Sequence, residues 1–114
     1  MSWAPSPRTA TTNERTMKGV RYAFTAEPWQ HAPPGGWWFV ALPADLSAEI
    51  RQAFGTEEEG WGRLKATARI GGSEWRTAIW YDTKHQAYLL PLKAAIRKAE
   101  GIEKAIPIGL EVWV

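Results

Sequence analysis

The chain has 114 residues, no cysteine and a formal net charge of +2. That length suits one compact domain with a real core, and the lack of cysteine excludes disulfides, thiolate metal sites and cysteine nucleophiles. The charge is too mild to argue for a polyanion partner, no apolar run reaches membrane-spanning length, and the N-terminus lacks an apolar signal-peptide core, so a cytoplasmic protein is expected.

Met1 to about Lys18 is rich in Ser, Thr, Pro and Arg and has little apolar periodicity, so a disordered tail is expected there, with one domain over 19–114. Val20 to Glu27 alternates, with Val20, Tyr22 and Phe24 on one face, which predicts a half-buried strand. Pro28 to Gly36 is a loop by its prolines and glycines, and Trp37 to Leu42 reads as a strand ending at Pro43. Behind it Asp45 is a plausible N-cap. Leu46, Ile50, Ala53 and Phe54 share a helical face, and Gly55 is placed to be a left-handed stop. Thr56 to Gly62, with Glu57, Glu58 and Glu59 in a row, reads as a solvated acidic connection.

Arg63 to Ile70 alternates Leu64, Ala66, Ala68 and Ile70 against Arg63, Lys65, Thr67 and Arg69. Gly71-Gly72 then predicts a two-residue hairpin turn into a return strand, Ser73 to Tyr81, with Trp75, Thr77, Ile79 and Tyr81 on one face. After a polar turn over Asp82 to Gln86 come a strand at Ala87 to Leu90 and a helix from about Pro91 to Glu100, stopped by Gly101. Ile106 to Val114 is the last strand, and Pro107 suits its start because it has no ladder donor.

The two halves echo each other. IRQAFG at Ile50 to Gly55 resembles IRKAEG at Ile96 to Gly101, and Leu42-Pro43 matches Leu90-Pro91 with a two-residue slip. The expected fold is therefore mainly β: a six-stranded split barrel with two short helices and a pseudo-two-fold β-β-α-β repeat, closed so as to leave no sheet edge.

The strings GGWWFVALPADLSAEIRQAFG, GRLKATARIGGSEWRTAIW and YLLPLKAAIRKAEGI resemble DUF1905, a small bacterial domain of unknown function, over roughly Val20 to Val114. The resemblance implies a split β-barrel, similar in topology to the swapped-hairpin domains of AbrB-like transcription factors and MazE-like antitoxins, which bind DNA. It brings no catalytic residues. The usual Gly-Asp turn before the last strand is absent, and Glu103-Lys104-Ala105 stands in its place.

Chemistry is sparse. His31 and His85 have no ligand partner at helical spacing, so no metal is expected. Ser47 and Ser73 lack a nucleophile elbow, no phosphate loop is present, and no catalytic residues or cofactor are assigned. Eight tryptophans fit either a core and rim of large β-formers or an aromatic-lined cleft. Lys93 and Arg97 lie four apart on the second helix, like charges that an anion would relieve, although Arg97 pairing with Glu100 is the plainer reading. Lys93, Arg97, Arg76, Trp75 and Trp37 are the candidates for an anion or ligand contact. The favoured function is a non-enzymatic, monomeric module that binds a small molecule or a protein and not a membrane. A nucleic-acid-binding barrel is the second reading, disfavoured by the mild charge, and a small barrel enzyme is the third.

Overall fold

The computed structural model describes residues 14–16, 19–33 and 35–114. Its elements run β1 (Glu14–Thr16), β2 (Gly19–Ala26), β3 (Trp29–Gln30), β4 (Trp38–Ala41), α1 (Ala44–Phe54), β5 (Arg63–Ile70), β6 (Ser73–Asp82), β7 (Ala87–Pro91), α2 (Ala94–Glu100) and β8 (Ile108–Trp113). The strands form a single antiparallel sheet in the order β1-β2-β8-β5-β6-β7-β4-β3. The sheet curls. β2 and β3 stand near opposite ends of that order, yet only Glu27 and Pro28 separate them along the chain. Three Cα steps reach at most about 11 Å, so the two sides of the sheet approach there, but no ladder joins β2 to β3 and the curled sheet is a half-barrel with edges at β1 and β3, not the closed barrel expected.

The mainly β, barrel-like form with two short helices is the one the patterning predicts. The described residues contain eight strands rather than six, and each extra strand has a local cause. Pro28 has no N–H to give to a ladder. It separates β2, paired with β8, from β3, paired with β4, a two-residue strand inside the stretch expected to be a loop. The other addition, β1, pairs Arg15 with Val20 and lies inside the stretch expected to be a disordered tail. The rest of that stretch, 1–13 and 17–18, lies outside the described residues.

Alternation decides which side of the sheet faces inward. Val20, Tyr22 and Phe24 from β2, Leu64, Ala66, Ala68 and Ile70 from β5, and Leu110 and Val112 from β8 are all buried. Leu46 and Ile50 of α1 and Ile96 of α2 close this core. Each large aliphatic side chain taken fully out of water contributes roughly 1.5–3 kcal/mol. Trp75 is buried in the same core at 8% exposure, so it is a packing residue and not a ligand platform.

Several local expectations are corrected. Pro43, not Asp45, is the N-cap of α1, and the Asp45 carboxylate accepts from the adjacent Leu46 N–H at 2.8 Å. Gly55 keeps right-handed helical angles and leads into a 3-10 turn, whereas Gly101 does adopt the left-handed stop at φ 62°. Pro91 ends β7, and α2 begins only at Ala94. Ile106 is 56% exposed and precedes β8.

The echo between the halves also has a different register. The Leu42 N–H donates to the Tyr88 carbonyl at 2.9 Å and the Leu92 N–H to the Trp38 carbonyl at 2.8 Å, on either side of the Val40–Leu90 pair. This reciprocity places Leu42-Pro43 opposite in role to Leu92-Lys93, both entering helices, and not to Leu90-Pro91. Ile50 therefore sits in the second turn of α1 while Ile96 sits in the first of α2. The similar helical strings do not occupy equivalent positions.

Candidate functional site

The five residues singled out from sequence go to different places. Lys93 takes the N-cap of α2 and is exposed. Arg97 is not paired with Glu100. Its Nε donates to the Leu92 carbonyl at 3.1 Å, and its guanidinium lies 4.6 Å from the centre of the Trp38 ring, which Lys104 also approaches at 5.5 Å. Glu100 instead accepts from the Ser73 hydroxyl at 2.6 Å. Arg97 thus has a structural task, covering Trp38 and tying α2 to the chain that enters it. Trp75 is in the core.

Arg76 and Trp37 lie on the outer face of the sheet, each beside a hollow. The first hollow, of about 660 Å³, lies over β5 and β6 and is lined by Arg63, Lys65, Thr67, Arg76, Trp80 and Trp113 among others. Alternation builds it. The residues of β5 opposite its core side chains are Arg63, Lys65, Thr67 and Arg69, and on β6 Arg76, Ala78 and Trp80 point the same way. Register then brings the charges together. Thr67 is directly opposite Arg76 and Lys65 is opposite Ala78, so Lys65 and Arg76 are diagonal neighbours about 7–8 Å apart. The small Ala78 keeps the floor low between them.

The charges in this hollow are not equivalent. Arg63 is paired with Glu59 and lies 5.7 Å from the Trp80 ring centre. No Asp or Glu side chain lines the hollow, although the C-terminal Val114 does, and neither Lys65 nor Arg76 is ion-paired with a described residue. At 7 Å in water two like charges repel by about 0.6 kcal/mol, a cost that an anion bound between them would remove.

The second hollow, of about 440 Å³, is apolar and lies over β6, β7 and β4, lined by Trp37, Phe39, Trp80, Leu89 and Pro91 with Asp82 at its edge. Trp80 belongs to both hollows. Trp37 is 66% exposed at the rim. Asp82 accepts from His85, which together with the neighbouring backbone holds its carboxyl below the usual value. The His85 ring stacks on Trp29 at 5.3 Å.

Two polar links brace the sheet, one on its outer face and one inside. On three adjacent strands, Arg21 of β2 and Arg69 of β5 both pair with Glu111 of β8. Burial alone would raise the Glu111 carboxyl, but the two guanidiniums outweigh it and hold the group below its usual value. Across the barrel, the wholly buried Tyr88 donates its hydroxyl to Glu58. Burial, reinforced by that carboxylate, raises the phenol well above its ordinary value. The Tyr88 ring meets Tyr81 edge-on at 5.2 Å, and Arg51 covers Tyr81 at 3.8 Å. The acidic connection is therefore not simply solvated, since Glu58 and Glu59 both pin it to the sheet. Within it Trp61 is 93% exposed at φ 68°, and neither packing nor backbone preference accounts for a tryptophan there.

Sequence reading missed Lys65, Arg63 and Trp80 as site residues. The signal was present in RLKATARI, whose polar face carries Arg63, Lys65 and Arg69. What the strand period does not give is the register that sets Lys65 beside Arg76. Among the described residues no group of three or more His, Asp or Glu is placed to hold a metal, and no helix is long and apolar enough to cross a membrane. A family model described as a domain of unknown function (DUF1905) matches residues 24–112. No curated protein matches the chain.

Proposed function

From the premise that this chain belongs to the DUF1905 family, whose description assigns a domain but no activity, we propose that it is a cytoplasmic, non-enzymatic binding module that captures an anionic small molecule on the outer face of β5 and β6. The observation that carries this reading is the cationic hollow, where Lys65 and Arg76 converge with no Asp or Glu side chain in the lining. Guanidinium, ammonium and the Thr67 hydroxyl are donors suited to phosphate or carboxylate oxygens. The Lys93 and Arg97 face is a weaker candidate, because Arg97 is already committed to Trp38 and the Leu92 carbonyl.

The test is an amide-detected NMR titration with inorganic phosphate at low salt. Shifts concentrated on 63–67 and 76–80, weakened at higher salt and abolished in a Lys65→Ala/Arg76→Ala variant, are expected. Shifts centred on α2, or none up to tens of millimolar, refute the proposal.

A further inference from the structure

The cationic hollow and the apolar hollow meet at Trp80, and what lies on each side of that ring differs in kind. Lys65 is opposite Ala78 on β6, so Arg76 is its diagonal neighbour on one side and Trp80 on the other, each about 7–8 Å away. On the far side of Trp80, Leu89 is its direct cross-strand partner. Phe39 pairs with Pro91, so the apolar surface runs on from β7 to β4. Trp37 stands over this surface at 66% exposure. From the midpoint of the cations to the middle of the apolar hollow is thus on the order of 10 Å, one strand spacing and two residues along.

We propose that the two hollows form one site for an aromatic phosphate, with the phosphate held by Lys65 and Arg76 and a planar ring lying in the hollow of Trp37, Phe39, Trp80, Leu89 and Pro91. The inference rests on the anion-binding reading above and adds the class of ligand. Two features select a ring over an aliphatic chain. The walls are mostly flat, with three aromatic side chains and a proline ring, and flat faces bury a planar body at little entropic cost. The hollow is also shallow and open, which fits a plate about 10 Å long and not a flexible tail that needs enclosure. Phosphate is favoured over a single-charge anion because Lys65 and Arg76 are both without an ion-pair partner among the described residues, and a phosphate monoester carries close to two charges at neutral pH.

The experiment is isothermal titration of the full chain with 1-naphthyl phosphate, inorganic phosphate and 1-naphthol, repeated on Trp37→Ala and on Leu89→Asn, with circular dichroism to confirm folding. Trp37 is exposed, so its removal leaves the core intact, and Leu89 tests the opposite wall. The expected result is that 1-naphthyl phosphate binds about tenfold more tightly than inorganic phosphate, the scale of one ring stacked on an indole, and that both variants lose this advantage while binding inorganic phosphate as before. Equal affinity for the two phosphates, or an advantage that survives both variants, overturns the ring subsite and leaves the anion contacts standing. Tight binding of 1-naphthol alone overturns the role of the phosphate. Failure of both phosphates to bind at 10 mM overturns this inference together with the anion-binding reading.

Discussion

Replacing Tyr88 by Phe isolates one hydrogen bond. The Tyr88 ring is wholly buried and packs edge-on against Tyr81, and phenylalanine keeps that ring, so the variant loses only the hydroxyl that donates to Glu58. A hydrogen bond to a charged acceptor contributes about 1.5–3 kcal/mol, and a domain of this size shifts its Tm by about 4–8 °C per kcal/mol. A loss of about 2 kcal/mol at pH 7 is therefore expected from urea unfolding. The pH dependence supplies a second check. The folded state raises the Tyr88 pKa above its ordinary value of 10.0, so the bond's contribution is fully present below pH 10 and declines as pH rises beyond it, because the unfolded chain ionises first. At pH 11 the wild-type advantage over the variant falls by about 1.4 kcal/mol, and the other tyrosines cancel in the comparison. Equal stabilities at pH 7, or an advantage that grows between pH 10 and 11, refute the reasoning.

Glu111→Gln leaves Arg21 and Arg69 without their shared charge, and a loss of about 1–2 kcal/mol at pH 7 is expected for two partly buried pairs. The Glu111 pKa is depressed from 4.5, so the wild-type advantage holds above that value and disappears as pH falls through the lower folded one, measured by urea unfolding at pH 7 and pH 3. Ser47→Ala removes a buried hydroxyl that accepts from the Tyr88 N–H at 3.1 Å and donates to the Leu42 carbonyl at 3.3 Å; the orphaned N–H costs about 1–3 kcal/mol, read as a lower urea midpoint with unchanged slope. Ala105 holds φ 61° in the turn before β8, with its N–H donating to the Pro28 carbonyl at 3.0 Å. Ala105→Gly relieves a left-handed cost of about 1–2 kcal/mol against about 0.5–1 kcal/mol of added chain entropy. A net gain near 0.5–1 kcal/mol is expected as a rise in Tm, and a drop contradicts the assigned backbone.

Features that depend on neighbours along the chain are legible in the residues alone. Period two fixed which residues of β2, β5 and β8 face the core, because successive side chains of a strand point to opposite sides. Gly101 was legible as a stop because only its own φ was at issue. Gly55 was not, because the chain after it turns into a 3-10 segment held by Glu58 and Glu59. The rest follows from pairing between distant segments. Trp29 and Gln30 form a strand inside the expected loop, because β4 pairs with them. The helical strings IRQAFG and IRKAEG resemble each other in letters but enter their helices at different turns, since the reciprocal bonds of Leu42 and Leu92 set the register. The candidate site divides the same way. Charge and aromatic content marked Arg76 and Trp37, but nothing local to the chain sets Lys65 beside Arg76, places Trp80 between two hollows, or turns Trp75 and Arg97 to packing. Those outcomes depend on which strand lies beside which, and cross-strand register is a property of residues far apart in sequence.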